Sequence, residues 1–339
     1  MHKKISVIGA GSWGTALAIL FAEKQAEICL WGHNPEVVKE LIDHRTNSLY
    51  LPGLHLPSNI RATDQLEDSL DAEFIFMATP SKAIRSVIER ISQFSIPSDA
   101  VFISCTKGIE HETGKLMSEV LADYLPKNPL AVLSGPNHAA EVAKKIPAAA
   151  VLGSAHPDLL KRLQKVFFLP SFRLYTSADI KGIQLGGALK NVCALAAGAS
   201  DGLNMGDNAK AALVTRALAE ITRLGVALGG QRETFYGLSG VGDLMVTCFS
   251  RHSRNRAFGE RLGRGETLTA IEDSMHMVAE GVFTARSAWR LAHELSVEAP
   301  IIKAVYQVLY ESKPPHDALW ELLERQPRAE PESFFPENR

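Results

Sequence analysis

Short apolar segments alternate with amphipathic helical patterns through the first half of the chain. The predicted strands occupy residues 4–9, 27–31, 74–78, 100–104, 130–134, 148–153 and 172–176. Apolar residues at helical spacing follow several of these segments, most clearly at 12–23, 81–92 and 157–167. Strands that are apolar almost throughout and alternate with helices predict a mostly parallel sheet covered on both faces, which is the doubly wound, Rossmann-type α/β fold.

From about residue 180 onwards the pattern becomes helical. Helices are predicted at 180–199, 208–228, 254–263, 283–295, 301–309 and 317–324, without a convincing strand. Because a chain of 339 residues favours two domains, we expect a sheet domain over 1–180 and an all-helical domain over 181–325. The remaining residues 326–339 are rich in proline and charge, which predicts a poorly ordered tail.

Composition narrows the class of protein. Hydrophobic residues make up 46% of the chain and charged residues 22%, as in ordinary globular proteins. The net charge of −2 gives no general attraction to nucleic acid or to an anionic membrane, so neither is an expected partner. No apolar segment is long enough to span a membrane, and the four cysteines lack zinc-ligand spacing, which favours a cytoplasmic protein with reduced thiols and no metal.

The segment ISVIGAGSWG near the start of the chain contains the pattern G-x-G-x-x-G between a predicted strand and a predicted helix. In that context Gly9 allows a tight turn, Gly11 lets a pyrophosphate approach the backbone, and Gly14 lets the helix pack on the strand. Backbone N–H groups at Ser12 and Trp13 would face the phosphates. A glycine-rich turn without a ligand is the less favoured alternative. The segment therefore predicts a dinucleotide site.

The second predicted strand ends at Gly32, followed by His33 and Asn34. NAD-selective enzymes usually carry an acidic residue about 20 residues after the glycine pattern, where it binds the ribose 2′-OH. Here no carboxylate stands at that place to repel a 2′-phosphate. We therefore expect both NAD and NADP as cofactors. The alternative interpretation is that His33 is an ordinary surface residue.

Two lysines are candidates for chemistry. Lys107 follows a predicted strand at the edge of the sheet where ligands bind, although a solvated surface lysine is the usual interpretation of such a residue. Lys190 and Asn191 interrupt a helix that is otherwise small and apolar. The side chain of Lys190 either extends towards solvent or is desolvated, and a desolvated lysine with a lowered pKa is a suitable general acid and base.

A second group of polar residues follows in the helical half. A glycine-rich turn ends in Asp243 and leads to Thr247, and Ser253, Arg254 and Asn255 begin a helix. A cation and an amide at a helix N-terminus suit a phosphate monoester. The alternatives are that Asp243 is a helix cap and that Arg254 belongs to a solvated basic helix start.

Eight segments occur in the order GAGSWGTALA, ISCTKG, LSGPNHAAEVA, IQLGGALKNVCALAAGASDGLNMGDNAKAAL, GLSGVGDLMVTC, SRNRAFG, VAEG and PIIKAVYQVLY. Together they resemble the bacterial NAD(P)-dependent glycerol-3-phosphate dehydrogenases over nearly the whole chain. This resemblance implies reversible hydride transfer between glycerol 3-phosphate and dihydroxyacetone phosphate, which supplies phospholipid synthesis. It also implies a Rossmann domain joined to a helical domain, often in a homodimer.

The resemblance implies that Lys190 is the proton donor and acceptor and that Lys107 touches both cofactor and substrate, with Asp243 beside them. The predicted substrate site comprises Lys107, Gly135, Asn137, Asn191, Asp243, Thr247, Ser253, Arg254 and Asn255. The predicted cofactor site comprises Gly9, Gly11, Ser12, Trp13, Gly14, His33, Lys107, Ala139, Arg254, Val278 and Glu280. The chain departs from the family at Asn137, where Thr or Ser is frequent, and at Asn34, where Asp is common.

The mechanistic hypothesis is that Arg254 and Asn255 bind the phosphate while Lys190 protonates the developing alkoxide. In this hypothesis Lys107 lowers the pKa of Lys190 by repulsion, and Asp243 holds the ammonium in place. One alternative function is a related dehydrogenase of another small hydroxy acid, such as a 2-hydroxy acid or ketopantoate. Another is a non-catalytic dinucleotide sensor, which has no need for this set of charged residues.

Overall fold

A computed structural model describes residues 4–24, 26–275 and 279–326. The first part of the chain forms one eight-stranded sheet. Its strands are β1 (Lys4–Ile8), β2 (Glu27–Trp31), β3 (Ile60–Thr63), β4 (Phe74–Met77), β5 (Val101–Ser104), β6 (Leu130–Ser134), β7 (Ala148–Gly153) and β8 (Phe172–Ser177).

The strands lie in the order β3-β2-β1-β4-β5-β6-β7-β8. All neighbouring strands are parallel except β6 and β7, so the prediction of a mostly parallel, doubly wound sheet is confirmed. The order reverses between β1 and β4, which opens a crevice at their carboxyl ends. The sequence analysis missed β3, because this four-residue edge strand with the exposed Arg61 carries too weak an apolar pattern.

Helices cover both faces of the sheet. They are α1 (Ser12–Ala22), α2 (Pro35–Asp43), α3 (Ile84–Ile91), α4 (Met117–Tyr124), α5 (Ala139–Ala143) and α6 (Pro157–Phe167). On one face Phe21 of α1 packs against Phe76 of β4 and Phe167 of α6, with ring centroids 4.8 and 4.7 Å away. On the other face α3 and α4 bury Ile88 and Leu121 against the sheet.

The second part of the described chain is helical. It contains α7 (Ile180–Gly202), α8 (Gly206–Ala227), α9 (Arg232–Phe235), a π-helical turn (Leu238–Gly242), α10 (Asp243–Phe249), α11 (Arg254–Gly263), α12 (Leu268–Ser274), α13 (Glu280–Glu294), α14 (Pro300–Tyr310) and α15 (Pro315–Leu323). The helical texture expected from residue 180 is confirmed, although the short helices α9, α10 and α12 were not predicted. Within the described residues, the helices are all too short or too polar to cross a membrane. Of the predicted tail, 327–339 lies outside the described residues.

The long helix α7 is buried on nearly every side. It touches β6 of the sheet and packs against α8, α10, α11 and α13. Its crossing with α11 is close, because a Cβ on Gly198 would lie 1.9 Å from the carbonyl oxygen of Arg256, and one on Gly259 would lie 2.0 Å from that of Leu195. Helix α7 therefore joins the sheet to the surrounding helices and carries Lys190 between them.

Candidate active site

The turn between β1 and α1 requires glycine at two positions for reasons of packing. Gly9 has a φ of +120°, and a Cβ there would lie 2.8 Å from the carbonyl oxygen of Ala78 after β4. A Cβ on Gly14 would lie 1.8 Å from the carbonyl oxygen of Gly9. The helix therefore starts directly against the end of β1, beside the crevice between β1 and β4.

Gly11 differs from its two neighbours in the pattern. A Cβ at this position would meet no described atom within 4 Å, so the space in front of the turn is open. Gly11 is the N-cap of α1, and among the described residues no side chain caps this helix and its first turn holds no acidic residue. The indole N–H of Trp13 is buried without a partner in the described structure. Open space, uncapped backbone N–H groups and a free donor fit the pyrophosphate of a dinucleotide.

The residues that directly follow β2, Gly32, His33 and Asn34, carry no carboxylate. His33 is exposed there, and the Asn34 side chain caps α2 by accepting a hydrogen bond from the N–H of Glu36 at 2.9 Å. Capping explains how Asn34 replaces an aspartate, since either side chain accepts this bond. Asparagine does so without adding a negative charge beside a bound ribose.

At the centre of the molecule, one carboxylate joins two lysines. Asp243, at the start of α10, is 1% exposed and accepts a hydrogen bond from Lys107 at 2.5 Å and another from Lys190. The Lys190 ammonium also donates to the Thr247 hydroxyl at 2.6 Å, and that of Lys107 donates to the Gly135 carbonyl at 3.0 Å. The interpretation of Asp243 as a helix cap is therefore wrong, because its side chain binds lysines.

Lys190 does not extend to solvent, since it is only 6% exposed. Burial lowers the pKa of Lys190 from 10.5 to about 8, against the opposing effect of Asp243. Repulsion from Lys107 lowers the pKa further, but less than burial does. The expected direction of the shift is therefore present, with desolvation rather than Lys107 as its main cause. An ammonium with this pKa exchanges its proton readily near neutral pH.

Arg254 and Asn255 begin α11, and Ser253 caps that helix by accepting the N–H of Arg256 at 3.2 Å. Arg254 is exposed within a cleft and forms no hydrogen bond or ion pair with the described residues. The surrounding protein lowers the pKa of its guanidinium, and the nearby Glu280 opposes this effect. An unpaired guanidinium at an open helix N-terminus can bind an anion.

The amide of Asn255 links three segments. It donates to the side-chain oxygen of Asn191 on α7 at 2.9 Å and accepts the N–H of Gly281 on α13 at 2.9 Å. A second N–H of this amide remains for a ligand. Asn191 itself donates to the carbonyl of Gly187 over 3.4 Å. The two asparagines therefore fix α7, α11 and α13 relative to each other at the site.

Glu280, the first residue of α13, accepts hydrogen bonds from the sheet part of the chain. Its carboxylate accepts the backbone N–H of Ser81 at 3.1 Å and the Ser81 hydroxyl at 2.5 Å. Burial raises the pKa of Glu280. The sequence analysis gave no role to Ser81, although its place just after β4 was a usable signal. Val278, predicted to contact the cofactor, lies outside the described residues.

The turn after β6 lies beside the lysines. Gly135 has a φ of +147°, and the Asn137 amide donates to the carbonyl of Ala149 at 2.9 Å, which holds the turn against β7. Ala139 begins α5. Between them His138 is half-buried, its Nε2 has no partner in the described structure, and burial together with Lys190 lowers its pKa. Sequence reasoning missed His138, although it lies between two predicted site residues.

The family model for the N-terminus of NAD-dependent glycerol-3-phosphate dehydrogenase matches residues 4–160, and the model for the C-terminus of that family matches residues 179–320. The glycerol-3-phosphate dehydrogenase [NAD(P)+] of Chlorobium phaeobacteroides (strain BS1) is 46% identical over 331 residues. The match covers 96% of this chain and 99% of that protein.

Solved structures with a similar fold agree with these matches. The crystal structure of glycerol-3-phosphate dehydrogenase from Coxiella burnetii superposes with a TM-score of 0.92 at 38% identity, covering 96% of this chain and 99% of that one. A ketopantoate reductase from Ralstonia eutropha JMP134 reaches a TM-score of 0.62 at 13% identity, covering 94% of this chain and 99% of that one. The second likeness concerns the fold alone.

Proposed function

The chain belongs to the NAD-dependent glycerol-3-phosphate dehydrogenase family, and from this membership we propose that it reduces dihydroxyacetone phosphate to sn-glycerol 3-phosphate, reversibly, with NAD(P)H. The observation that carries the proposal is the buried Lys190–Asp243 pair, which the bond between Asn191 and Asn255 connects to the helix start that bears the unpaired Arg254. The product would supply glycerophospholipid synthesis.

Binding of the cofactor follows from the glycine turn and the crevice. Gly9, Gly11 and Gly14, with the N–H groups of Ser12 and Trp13, would hold the pyrophosphate at the N-terminus of α1. His33 would lie near the ribose, where it places no carboxylate against a 2′-phosphate, so that both NAD and NADP are accepted. Ala139, Glu280, Val278, Lys107 and Arg254 complete the proposed set. A bound nicotinamide supplies the hydride for reduction and accepts it in the reverse direction.

Recognition of the substrate rests on its phosphate. Arg254 supplies a guanidinium without another partner, and the first turn of α11 supplies backbone N–H groups beside it. Asn255 adds its free N–H, and the binding energy of this remote group orients the carbonyl. A substrate without the phosphate cannot gain this energy. The geometry therefore favours dihydroxyacetone phosphate over ketopantoate.

Proton transfer is assigned to Lys190. Its ammonium donates a proton to the carbonyl oxygen as negative charge develops there during reduction, and the neutral amine accepts it back during oxidation. Lys107 forms an ion pair with the Asp243 carboxylate, which also binds Lys190. Its ammonium adds a second positive charge that stabilises the oxyanion. Asp243 and Thr247 orient the Lys190 side chain through their hydrogen bonds.

In three further parts of the proposal, the domain bounds and the location rest on the pattern and composition of the sequence, and the oligomeric state rests on the resemblance to the family. The dinucleotide site would belong to a domain of residues 1–180 and the catalytic lysine to a helical domain of residues 181–325. The protein would act in the cytoplasm as a homodimer. Sedimentation of the purified protein at several concentrations tests the dimer, and a monomer throughout would contradict it.

A substrate panel tests the function. Oxidation of NADPH, followed by its absorbance, should be rapid with dihydroxyacetone phosphate, slow with dihydroxyacetone and undetectable with ketopantoate. Faster turnover of ketopantoate would favour the other dehydrogenase class. Tight binding of NADPH without turnover of any of these compounds would favour the dinucleotide sensor and overturn the proposal.

A further inference from the structure

Two arginines that are close in sequence on α11 have opposite surroundings. Arg254 has no partner among the described residues. The Arg256 side chain, in contrast, is only 13% exposed and binds several protein groups. Its Nη1 donates to Asp201 at 2.6 Å and lies 2.9 Å from the Glu260 carboxylate, and its Nε donates to the carbonyl of Ser250 at 3.1 Å. Two of the three guanidinium nitrogens of Arg256, Nη1 and Nε, therefore bind protein groups.

These contacts connect three helices that carry the site. Asp201 lies in the last turn of α7, the helix of Lys190, and Ser250 is the residue that ends α10, the helix of Asp243. Arg256 itself lies in the first turn of α11, next to the proposed phosphate site. One guanidinium thus joins the three helices that bear the proton donor, its carboxylate and the anion-binding turn.

Asp201 holds a second cation in the same place. Lys210 of α8 donates to the same carboxylate oxygen at 2.7 Å, and its side chain is 9% exposed. The Lys210 ammonium also lies 5.0 Å from the ring centroid of Phe249 in α10. Removing the Asp201 charge would leave two partly buried cations close together, which is costly because Lys210 would lose its counter-charge and Arg256 would keep only Glu260.

The crossing of α7 and α11 fixes where these two helices lie relative to each other. The backbones of α7 and α11 touch at Gly198 and Gly259, so no side chain lies between the helices to absorb a shift. The contact at Gly198 is with the carbonyl oxygen of Arg256, so the crossing includes the first turn of α11. The side chains of Arg256 and Asn255 add contacts that set the place of this turn relative to α7 and α10.

We propose that Asp201 and Arg256 are positioning residues, which hold the phosphate-binding turn of α11 at a fixed distance from Lys190. The inference rests on the proposed function, since it assumes that Arg254 and Asn255 receive the phosphate. A displacement of this turn by about 1 Å relative to Lys190 can reduce the rate about 10²-fold, because the substrate carbonyl no longer meets the proton donor and the hydride.

The test compares Asp201→Asn and Arg256→Lys with the wild-type protein. Asp201→Asn removes the carboxylate charge at nearly the same side-chain size, and Arg256→Lys keeps the positive charge but has a single ammonium in place of the Nη1 and Nε that bind Asp201 and the Ser250 carbonyl. We expect kcat/KM for dihydroxyacetone phosphate to fall about 10- to 100-fold, through a lower kcat together with a higher KM. The KM for NADPH should stay within about twofold. Activity with dihydroxyacetone, which has no phosphate to misplace, should change by less than about threefold.

Arg264→Ala is the matched control. Arg264 directly follows α11 and pairs with the same Glu260, but its side chain is exposed and has no hydrogen bond or ion pair with α7 or α10 in the described structure. Its loss should leave all these parameters unchanged. Because Asp201 and Arg256 share one contact, the losses in the double variant should be less than the sum of the two single losses.

Calorimetric titration with glycerol 3-phosphate measures the same effect without turnover, and affinity should fall with the KM. The inference is overturned if folded variants bind glycerol 3-phosphate as the wild-type protein does. It is also overturned if activity falls equally with and without the phosphate, which would indicate a general loss of structure. Failure of the wild-type protein to reduce dihydroxyacetone phosphate would instead contradict the proposed function.

Discussion

Asn255 on α11 donates a side-chain hydrogen bond of 2.9 Å to Asn191 on α7. Asn191 directly follows Lys190, and Asn255 directly follows Arg254. The bond therefore joins the neighbour of the proposed proton donor to the neighbour of the proposed phosphate ligand. Both asparagines are buried, so this contact is shielded from competition by water. The bond thus restricts how far the start of α11 can move relative to the part of α7 that bears Lys190.

Replacing Lys190 tests the proton donor. Lys190→Ala should lower kcat by about 10²–10⁴-fold, since general acid catalysis contributes on this order. The KM for NADPH should change little, because Lys190 lies away from the glycine turn. Lys181→Ala is the control on the same helix and should leave kcat unchanged. Lys181 is exposed, and its ammonium lies 3.7 Å from the Glu119 carboxylate. Near-normal turnover by the Lys190 variant would refute the assignment.

The pH dependence should differ between the two directions. Reduction requires the Lys190 ammonium, and burial lowers its pKa from 10.5 to about 8, so the folded protein loses this proton as the pH rises through about 8. Reductive kcat/KM should therefore decline above that pH, whereas oxidation, which requires the neutral amine, should increase through it. Profiles that fall together in both directions, or an inflection near 10.5, would contradict the proposed role.

Replacing Gly11 should affect cofactor binding without affecting the stability of the fold. Gly11→Ala should leave the melting temperature unchanged, because its Cβ would meet no described atom within 4 Å. The added methyl group should nevertheless weaken NADPH binding about tenfold or more, because it occupies the space of the pyrophosphate. Gly14→Ala is the contrasting variant and should unfold at lower temperature, since its Cβ would lie 1.8 Å from the Gly9 carbonyl oxygen. Unchanged NADPH affinity in Gly11→Ala would place the cofactor elsewhere.

A charge at position 33 should change the choice of cofactor. In the wild-type protein kcat/KM with NADPH should equal or exceed the value with NADH. His33→Asp should lower the NADPH value about tenfold or more, because a carboxylate would repel the 2′-phosphate, and should spare NADH. His44→Asp introduces the same charge at an exposed position just after α2. A strong preference of the wild-type protein for NADH would refute the argument.

Arg254 should act through the phosphate alone. Arg254→Ala should reduce kcat/KM for dihydroxyacetone phosphate about 10²-fold, on the scale of a lost charge pair with hydrogen bonds. The loss with dihydroxyacetone should be far smaller. Arg264→Ala, near the other end of α11, should have no effect with either compound. An equal loss with both substrates would indicate that Arg254 supports the structure of the cleft.

Much of the fold was predictable because it depends on neighbouring residues. The apolar strands, the long helices and the turn with Gly9, Gly11 and Gly14 are local patterns, and each reflects what a few consecutive residues can bury or which backbone angles they can adopt. Prediction failed where that local signal was weak. The edge strand β3 has four residues, and the helices α9, α10 and α12 are too short to show a clear period.

The sequence by itself determined the class of fold, the dinucleotide turn and the residue types available for proton transfer and for phosphate binding. It left the state of Lys190 open and favoured no single role for Asp243. Those questions were decided by tertiary structure, in which Asp243 meets Lys107 across 136 positions of the chain and Lys190 across 53. Desolvation and ion pairing depend on everything that surrounds a charge, and such surroundings are assembled only when segments that are distant in sequence pack together.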